Sequence, residues 1–488
     1  MSWAKIKDKI LSGETTVTQL TEEYIERIEK HNSQYNCFIT TVDKDVLLKQ
    51  AAEADKRYSD GNPRYLEGLL IGVKDNFCTK GIRTTAGSKM LEDFIPPYES
   101  TVTRRLLEAG AIILGKTNMD EFGMGSSTTH SHFGPTPNAV DSSRVAGGSS
   151  GGSATCVASD LGMAAIGTDT GGSIRQPAAF NGIVGLKPTY GRCSRYGMIS
   201  YASSLDQAGP MTKTVRDAAM MLFAMAGIDQ HDSTCSFVGV PYYASACERV
   251  SYPLRIGVAI ELFESMNIQD GCLERFRSLL SVFDHEHHYP VKYVSIPSLK
   301  FALPAYYVIA TSEASSNLSR YDGIRFGHRT SAECESLEEF YEKTRAEGFG
   351  DEVKRRILVG TYCLSAGHYD DYYGKALKVR EVIKNDFNEA FKEVDVILSL
   401  TTPGPAFPLQ EQRSEVETYL EDMFTVPANL AGLPALSVPI GKDEQGLPLG
   451  IQIIGKKFDE ETVLSVGAMI ERIVDNWEES KKEQTDTE

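Results

Sequence analysis

The chain has 488 residues, 41% hydrophobic and 24% charged, the proportions of a folded globular protein and not of a disordered or fibrous one. Its formal net charge of −17 excludes a broad electrostatic grip on nucleic acid, which needs clustered Lys and Arg, so any RNA contact is expected through a partner. Nine cysteines, odd in number and never spaced as a CxxC pair, read as free thiols in a reducing cytoplasm.

Residues 1–10 carry charges throughout and lack the apolar stretch of an export signal. The longest apolar run, residues 218–228, falls short of the about 20 residues that cross a bilayer and reads as a buried helix. A cytoplasmic protein without a membrane segment is expected.

In residues 16–31, Val17, Leu20, Tyr24, Ile25 and Ile28 recur at helical spacing and predict an amphipathic surface helix. A second helix is predicted over about residues 45–58. Leu69-Leu70-Ile71-Gly72-Val73 then reads as a buried strand that delivers Lys74 at its end. A helix over residues 103–108, a stop at Gly110 and a strand at Ala111-Ile112-Ile113-Leu114 continue the alternation. This pattern predicts an α/β fold, an α/β/α sandwich around a central mixed, mostly parallel sheet. Residues 151–160 start a helix from a Gly/Ser turn, and Met163-Ala164-Ala165-Ile166-Gly167 runs into a second such turn, so the two could meet at one sheet edge. Residues 229–253 lack periodicity and read as a connecting excursion. Strand signals resume at residues 256–260 and return at 394–398, 435–439 and 450–454 after a mainly helical region over about residues 300–392. One sheet is thus revisited late in the chain. The polar end, residues 478–488, is expected to fray.

The chemistry concentrates in Gly147-Gly148-Ser149-Ser150-Gly151-Gly152-Ser153, in Thr168-Asp169-Thr170-Gly171-Gly172-Ser173, and in Lys74. A flexible linker would sit in polar surroundings, whereas the first run opens directly into Ala154-Thr155-Cys156-Val157-Ala158. Neither turn fits GxxxxGK[ST] or GxGxxG, which argues against a phosphate cradle. The first satisfies GxSxG around Ser149, but the last histidine is His368 and no histidine has a strand-end setting suited to catalysis. His285-Glu286-His287-His288 has no metal-ligand spacing and reads as an exposed loop, so no metal site is assigned. Asp75, Asp120 and Glu121 read as helix caps beside strand ends.

What remains is a relay in which Ser173 attacks a carbonyl, Ser149 passes its proton on, and neutral Lys74 receives it. A free lysine titrates near about 10.4, so Lys74 must be buried among hydroxyls and not carboxylates to serve near neutrality. Glycines before Ser173 would let successive N–H groups face the developing oxyanion.

Together these three elements resemble the amidase signature family. The resemblance implies Lys74 as base, Ser149 as a relay serine with a cis peptide bond, Ser173 as the acyl-forming nucleophile, and an oxyanion hole from the N–H groups of Thr170, Gly171, Gly172 and Ser173. It covers nearly the whole chain, with a signature core over about residues 65–212 in a single domain spanning 1–488. Asn118-Met119-Asp120-Glu121-Phe122, Arg175-Gln176-Pro177-Ala178-Ala179-Phe180, Gly185-Leu186-Lys187-Pro188-Thr189-Tyr190-Gly191-Arg192, Ser312-Glu313-Ala314-Ser315-Ser316-Asn317-Leu318 and the segment Phe349-Gly350-Asp351-Glu352-Val353-Lys354-Arg355-Arg356 are similar to the branch that serves tRNA-dependent amidotransferases. That branch implies a glutaminase whose ammonia converts Glu-tRNA(Gln) to Gln-tRNA(Gln), in a heterotrimer with two other subunits, B and C. ATP and Mg²⁺ would belong to a partner subunit, no cofactor to this chain, and tRNA would bind mainly through the partner. Arg355, with Arg356 as its neighbouring competitor, and Asp422 would hold the α-carboxylate and α-ammonium of glutamine, and Tyr306 and Ser126 would line the pocket. The other reading is a free-standing amidase acting on small or lipid amides with the same relay. Two departures, Ala146 in place of the family's usual proline and Asn138-Ala139-Val140-Asp141 before it, bear on loop rigidity and lie outside the relay.

Overall fold

A computed structural model describes residues 1–249, 254–264, 268–286, 288–411 and 413–485. The end of the predicted excursion (residues 250–253), His287 of the histidine cluster and residues 486–488 of the tail lie outside the described residues.

Among the described residues, eleven strands form one sheet. They are β1 (Phe38–Thr41), β2 (Leu70–Lys74), β3 (Ile112–Thr117), β4 (Ala164–Asp169), β5 (Val184–Lys187), β6 (Gln207–Thr212), β7 (Ile256–Ala259), β8 (Val291–Val294), β9 (Val396–Leu400), β10 (Ala435–Lys442) and β11 (Pro448–Gly455). Their spatial order is β1-β3-β2-β4-β6-β5-β10-β11-β9-β7-β8, so the late strands do rejoin the early sheet. Every residue of β2, β3, β4, β6, β9 and β11 is buried, which explains why all of these but β6 read as apolar runs without alternation: helices cover both faces.

The sheet is mixed as expected, but its parallel share is smaller. Parallel pairing is confined to two flanks, β3-β2-β4 and β9-β7-β8, and the centre from β4 through β6, β5, β10 and β11 to β9 is antiparallel. β10 and β11 are joined by a tight turn in which Gly446 N–H donates to the Asp443 carbonyl, and so short a return leaves no length for the crossover that a parallel pair needs.

The first predicted helix is present as Val17–Tyr35, opened by a capping box between Thr16 and Gln19 and burying Val17, Tyr24, Ile25 and Ile28. In the later half, helices Ala302–Asn317 and Asp351–Leu364 pack so closely at Gly360 that a Cβ there would run into the Thr311 carbonyl, and only glycine admits this approach. The histidine cluster differs from the expected loop: residues 282–286 continue the helix Asp270–Ser281 as a wider turn.

The long helix Glu460–Thr485 is fastened to the early half by its first residue. Glu460 pairs with Arg192 at 3.2 Å, both side chains almost fully enclosed, and also accepts the Thr189 N–H at 3.0 Å. Removing one member of a buried ion pair leaves the other charge uncompensated, typically costing about 3 to 5 kcal/mol. Glu460→Ala should therefore lower unfolding free energy by about 3 kcal/mol or more, read from the shift of the urea midpoint at unchanged slope.

Candidate active site

β2 and β4 are parallel neighbours, with Val73 opposite Ile166, so their C-terminal ends emerge together and carry Lys74 and Thr168 to the same point. The Lys74 ammonium, fully buried, lies 2.8 Å from Ser149 Oγ, 2.8 Å from Ser150 Oγ, 2.9 Å from Thr168 Oγ1 and 3.4 Å from the Thr168 carbonyl. No carboxylate is among these partners. Burial pulls the Lys74 pKa down to about 7, although Asp120, Asp169 and Asp206 draw it upward from farther away. A lysine so placed is part neutral at neutral pH and can accept a proton from a serine.

The two small-residue turns are joined directly: Ser150 N–H donates to the Ser173 carbonyl at 3.2 Å. The Gly148–Ser149 peptide bond is cis. Exposure falls from Ser173 at 8% through Ser149 at 1% to Lys74 at 0%, which orders the three from the opening inward.

Asp120 is no helix cap; its carboxylate gathers the N–H groups of Thr128 at 2.9 Å and His130 at 3.1 Å, folding the loop after it. Asp75 faces Lys116 at 3.3 Å, and Glu121 accepts the Gly350 N–H at 2.9 Å, so none of the three acids performs the expected capping. Each anchors a distant segment, which local sequence context does not disclose. Ser126 contributes its main chain: its carbonyl accepts Gln176 Nε2 at 2.9 Å while Gln176 Oε1 accepts the Gly148 N–H at 2.9 Å. Asn138 donates to the Val145 and Phe180 carbonyls, bracing the loop that carries Ala146.

The turn bearing Ser173 is braced by residues outside the expected site. Asp169 forms a fully buried, two-pronged pair with Arg175, at 2.9 Å to Nη2 and 3.0 Å to Nε. Burial pushes the Asp169 carboxyl up, but the adjacent guanidinium outweighs this and holds it well below the usual carboxylate range. Asp169 also accepts the Gly172 N–H at 2.9 Å, which removes that group from the expected oxyanion set. Among the described residues, the N–H groups of Thr170, Gly171 and Ser173 make no hydrogen bond to a protein acceptor. An acid four residues before a serine and an arginine two after it, in a stretch otherwise small and apolar, were the available signal.

The candidate substrate residues divide. Tyr306 stands against the Ser173 turn, where a Cβ on Gly171 would lie 2.5 Å from its hydroxyl oxygen. Asp422 accepts the Tyr307 hydroxyl at 2.9 Å, and burial raises its pKa to about 7 against the lowering pull of that bond and of Arg356. Arg356, 7% exposed, spends its donors on Glu352 at 2.7 Å and the Tyr201 hydroxyl at 2.7 Å, and lies over the rings of Tyr201, Tyr307 and Tyr419. Arg355, 47% exposed, takes the other oxygen of Glu352 at 3.0 Å and lines a cleft of about 470 Å³ with Glu121, His130 and Asp351. Successive residues on a helix point about 100° apart, so the two arginines occupy different surroundings. Arg356 is enclosed in the wall over Tyr307, the partner of Asp422, whereas Arg355 is half-exposed in a cleft whose lining includes none of Ser173, Tyr306 and Asp422.

An Amidase family model matches residues 19–464. The A subunit of glutamyl-tRNA(Gln) amidotransferase from Hahella chejuensis is 52% identical over 472 residues, 95% of this chain and 94% of that one. The protein of the same description from Gluconobacter oxydans is 50% identical over 477 residues, 96% and 95% of the two chains. The crystal structure of the corresponding A subunit from Thermotoga maritima superposes with a TM-score of 0.77 at 39% identity, covering 95% of this chain and 93% of that one. On sequence and fold alike, over nearly its full length, this chain belongs to the Amidase family.

Proposed function

We propose that this chain is the glutamine-hydrolysing subunit of a tRNA-dependent amidotransferase. The observation that carries the reading is the fully enclosed Lys74 amine, 2.8 Å from Ser149 Oγ and beside the Ser173 turn, in a chain about half identical to subunits of that description. Ser173 Oγ attacks the glutamine side-chain carbonyl while its proton passes through Ser149 to Lys74. The oxyanion is held by the N–H groups of Thr170, Gly171 and Ser173. Collapse of the tetrahedral intermediate breaks the C–N bond, and the proton returned from Lys74 leaves with ammonia. Water then attacks the glutamyl ester, its proton taking the same route, and glutamate departs with Ser173 restored. Asp422 receives the α-ammonium, Arg355 or its neighbour Arg356 the α-carboxylate, and Tyr306 walls the reacting end.

The ammonia serves conversion of Glu-tRNA(Gln) to Gln-tRNA(Gln) in a cytoplasmic heterotrimer with two partner subunits, B and C. ATP, Mg²⁺ and most of the tRNA contact belong to a partner. The chain's net charge of −17 supports that division, since a strongly acidic surface is a poor holder of phosphates. Among the described residues no helix is long and apolar enough to cross a membrane.

In the reconstituted complex, Ser173→Ala, Ser149→Ala and Lys74→Ala should each cut glutaminase turnover by about 10³-fold or more while amidation from added ammonium persists. Glutaminase at wild-type rate in the Ser173 variant refutes the mechanism, and full hydrolysis of unrelated amides without partner subunits supports a free-standing amidase.

The pH profile follows from two groups that must both lose a proton, Lys74 to act as a base and Asp422 to hold an ammonium, each with a pKa of about 7. Glutaminase kcat/KM should therefore rise with pH below about 7 by more than tenfold per pH unit and level off above it. Asp422→Asn should raise the glutamine KM and flatten the rise to about tenfold per unit, one ionisation being left.

Arg355→Ala should raise the glutamine KM by about tenfold or more with stability near wild type, because a solvent-facing cation is lost. Arg356→Ala, which leaves Glu352 enclosed beside the tyrosines, should instead lower the unfolding free energy by about 3 kcal/mol. The opposite pattern in steady-state kinetics and urea unfolding would exchange the two roles.

A further inference from the structure

We propose that Thr425 is a positioning residue for the oxyanion turn, acting through the peptide unit between Gly171 and Gly172 and tying that turn to the segment that carries Asp422. The proposal rests on the reading of Ser173 as the nucleophile.

That peptide unit is held at both ends. Its N–H, from Gly172, donates to Asp169 Oδ1 at 2.9 Å, and its carbonyl, from Gly171, accepts the Thr425 hydroxyl at 2.5 Å. The two holders are themselves linked: Arg175, paired with Asp169, donates through Nη1 to the Thr425 carbonyl at 3.0 Å. The result is a closed ring through Asp169, Arg175, Thr425 and the Gly171–Gly172 peptide, bridging about 250 residues of sequence, and Thr425 is fully buried within it. Fixing the plane of this peptide constrains the directions of the Gly171 and Ser173 N–H groups on either side, which are the donors left for an oxyanion.

The Thr425 hydroxyl is diverted from its ordinary employment. Thr425 is the N-cap of the helix Val426–Ala431, where a threonine oxygen usually accepts an N–H from the second or third helical residue. No such bond forms here, and the second position is Pro427, which has no N–H. The hydroxyl points instead to the Gly171 carbonyl, the nearer of its two acceptors, with the Asp422 carbonyl at 3.1 Å. Gly172 has φ of +138°, and a Cβ there would run into Thr425 Oγ1, so the turn has the shape of the hydroxyl that braces it.

The same residue reaches the substrate side. Thr425 N–H donates to the Asp422 carbonyl at 3.1 Å, and Val426 N–H does so at 3.0 Å. A ligand that orders Asp422 thereby steadies the residue that orients the oxyanion donors. Thr425 touches no reacting atom in this scheme and works by direction alone. Loss of an oxyanion donor costs about 10²- to 10³-fold, and loss of its alignment should cost less.

The test compares Thr425→Val, which keeps the shape and removes the donor, with Thr425→Ser, which keeps the donor, in the full chain assembled with its partner subunits. T425V should lower glutaminase kcat by about 10- to 100-fold with the glutamine KM within about threefold of wild type. T425S should stay within about threefold in kcat, and ammonium-supported amidation should be unchanged in both. Wild-type kcat in T425V, equal impairment of T425V and T425S, or a loss confined to KM overturns the proposal. Where T425V fails to fold, T425A takes its place against T425S, and equal kcat in that pair overturns it too. Ser173→Ala in the same assay separates the failures: if it retains glutaminase, the nucleophile assignment falls, and if it is inactive while T425V is fully active, only the role of Thr425 falls.

Discussion

An amine buried without a carboxylate against it is the constraint on which this site depends. Lys74 meets only hydroxyl and carbonyl oxygens at hydrogen-bonding distance, and so desolvation governs its titration. Three acids stand near enough to raise its pKa, yet each is turned toward other donors. Asp120 holds loop N–H groups, Asp169 holds Arg175 and the Gly172 N–H, and Asp206 holds the Thr170 hydroxyl and the N–H groups of Tyr201 and Ala202. Were any of them to reach Lys74 directly, the ion pair would lock the ammonium form and the lysine could no longer accept a proton. Much of the polar interior around the site is therefore concerned with keeping carboxylates occupied.

The sheet supplies the other half of this arrangement. Because β2 and β4 run side by side in the same direction, the lysine at the end of one and the serine turn at the end of the other are neighbours by construction. The antiparallel centre then lets the chain return with β10 and β11 beside β5, and the helix Val426–Ala431 immediately before β10 thereby reaches the back of the Ser173 turn. Arg175 meets Thr425 and Asn429 there, far along the chain. Parallel pairing at these steps, as a mostly parallel sheet would have it, would need a long crossover at each.

The parts legible in the sequence were those with a local signature. An apolar strand that ends in lysine, and two glycine-serine turns that bracket a short apolar run, disclose themselves by composition. Buried strands and amphipathic helices did so too, since β2, β3, β4 and the helix Val17–Tyr35 fall where periodicity placed them. The edge strand β1 and the central β5 and β6 carried no comparable pattern. Asp75, Asp120 and Glu121 were misread because their partners, Lys116, the residues 127–130 and Gly350, are brought to them by tertiary folding and not by neighbouring sequence. Arg355 and Arg356 are adjacent letters with the same charge, and it takes the helix to turn one into the aromatic wall and the other toward the cleft.

Asp422 shows how recognition and chemistry share one support. Burial raises the Asp422 pKa to about 7, and Arg356, enclosed with Glu352, offsets that rise only in part. Under the proposed assignment, an incoming α-ammonium would supply the missing counter-charge and shift Asp422 toward its ionised form by mass action, linking binding to deprotonation. The gain is selective: a neutral amide without an α-ammonium leaves Asp422 as it was. Since the backbone of Asp422 is bonded to Thr425, and Thr425 to the turn of Ser173, the carboxylate proposed to distinguish an amino-acid amide from other amides stands on the same short segment that is proposed to brace the oxyanion donors.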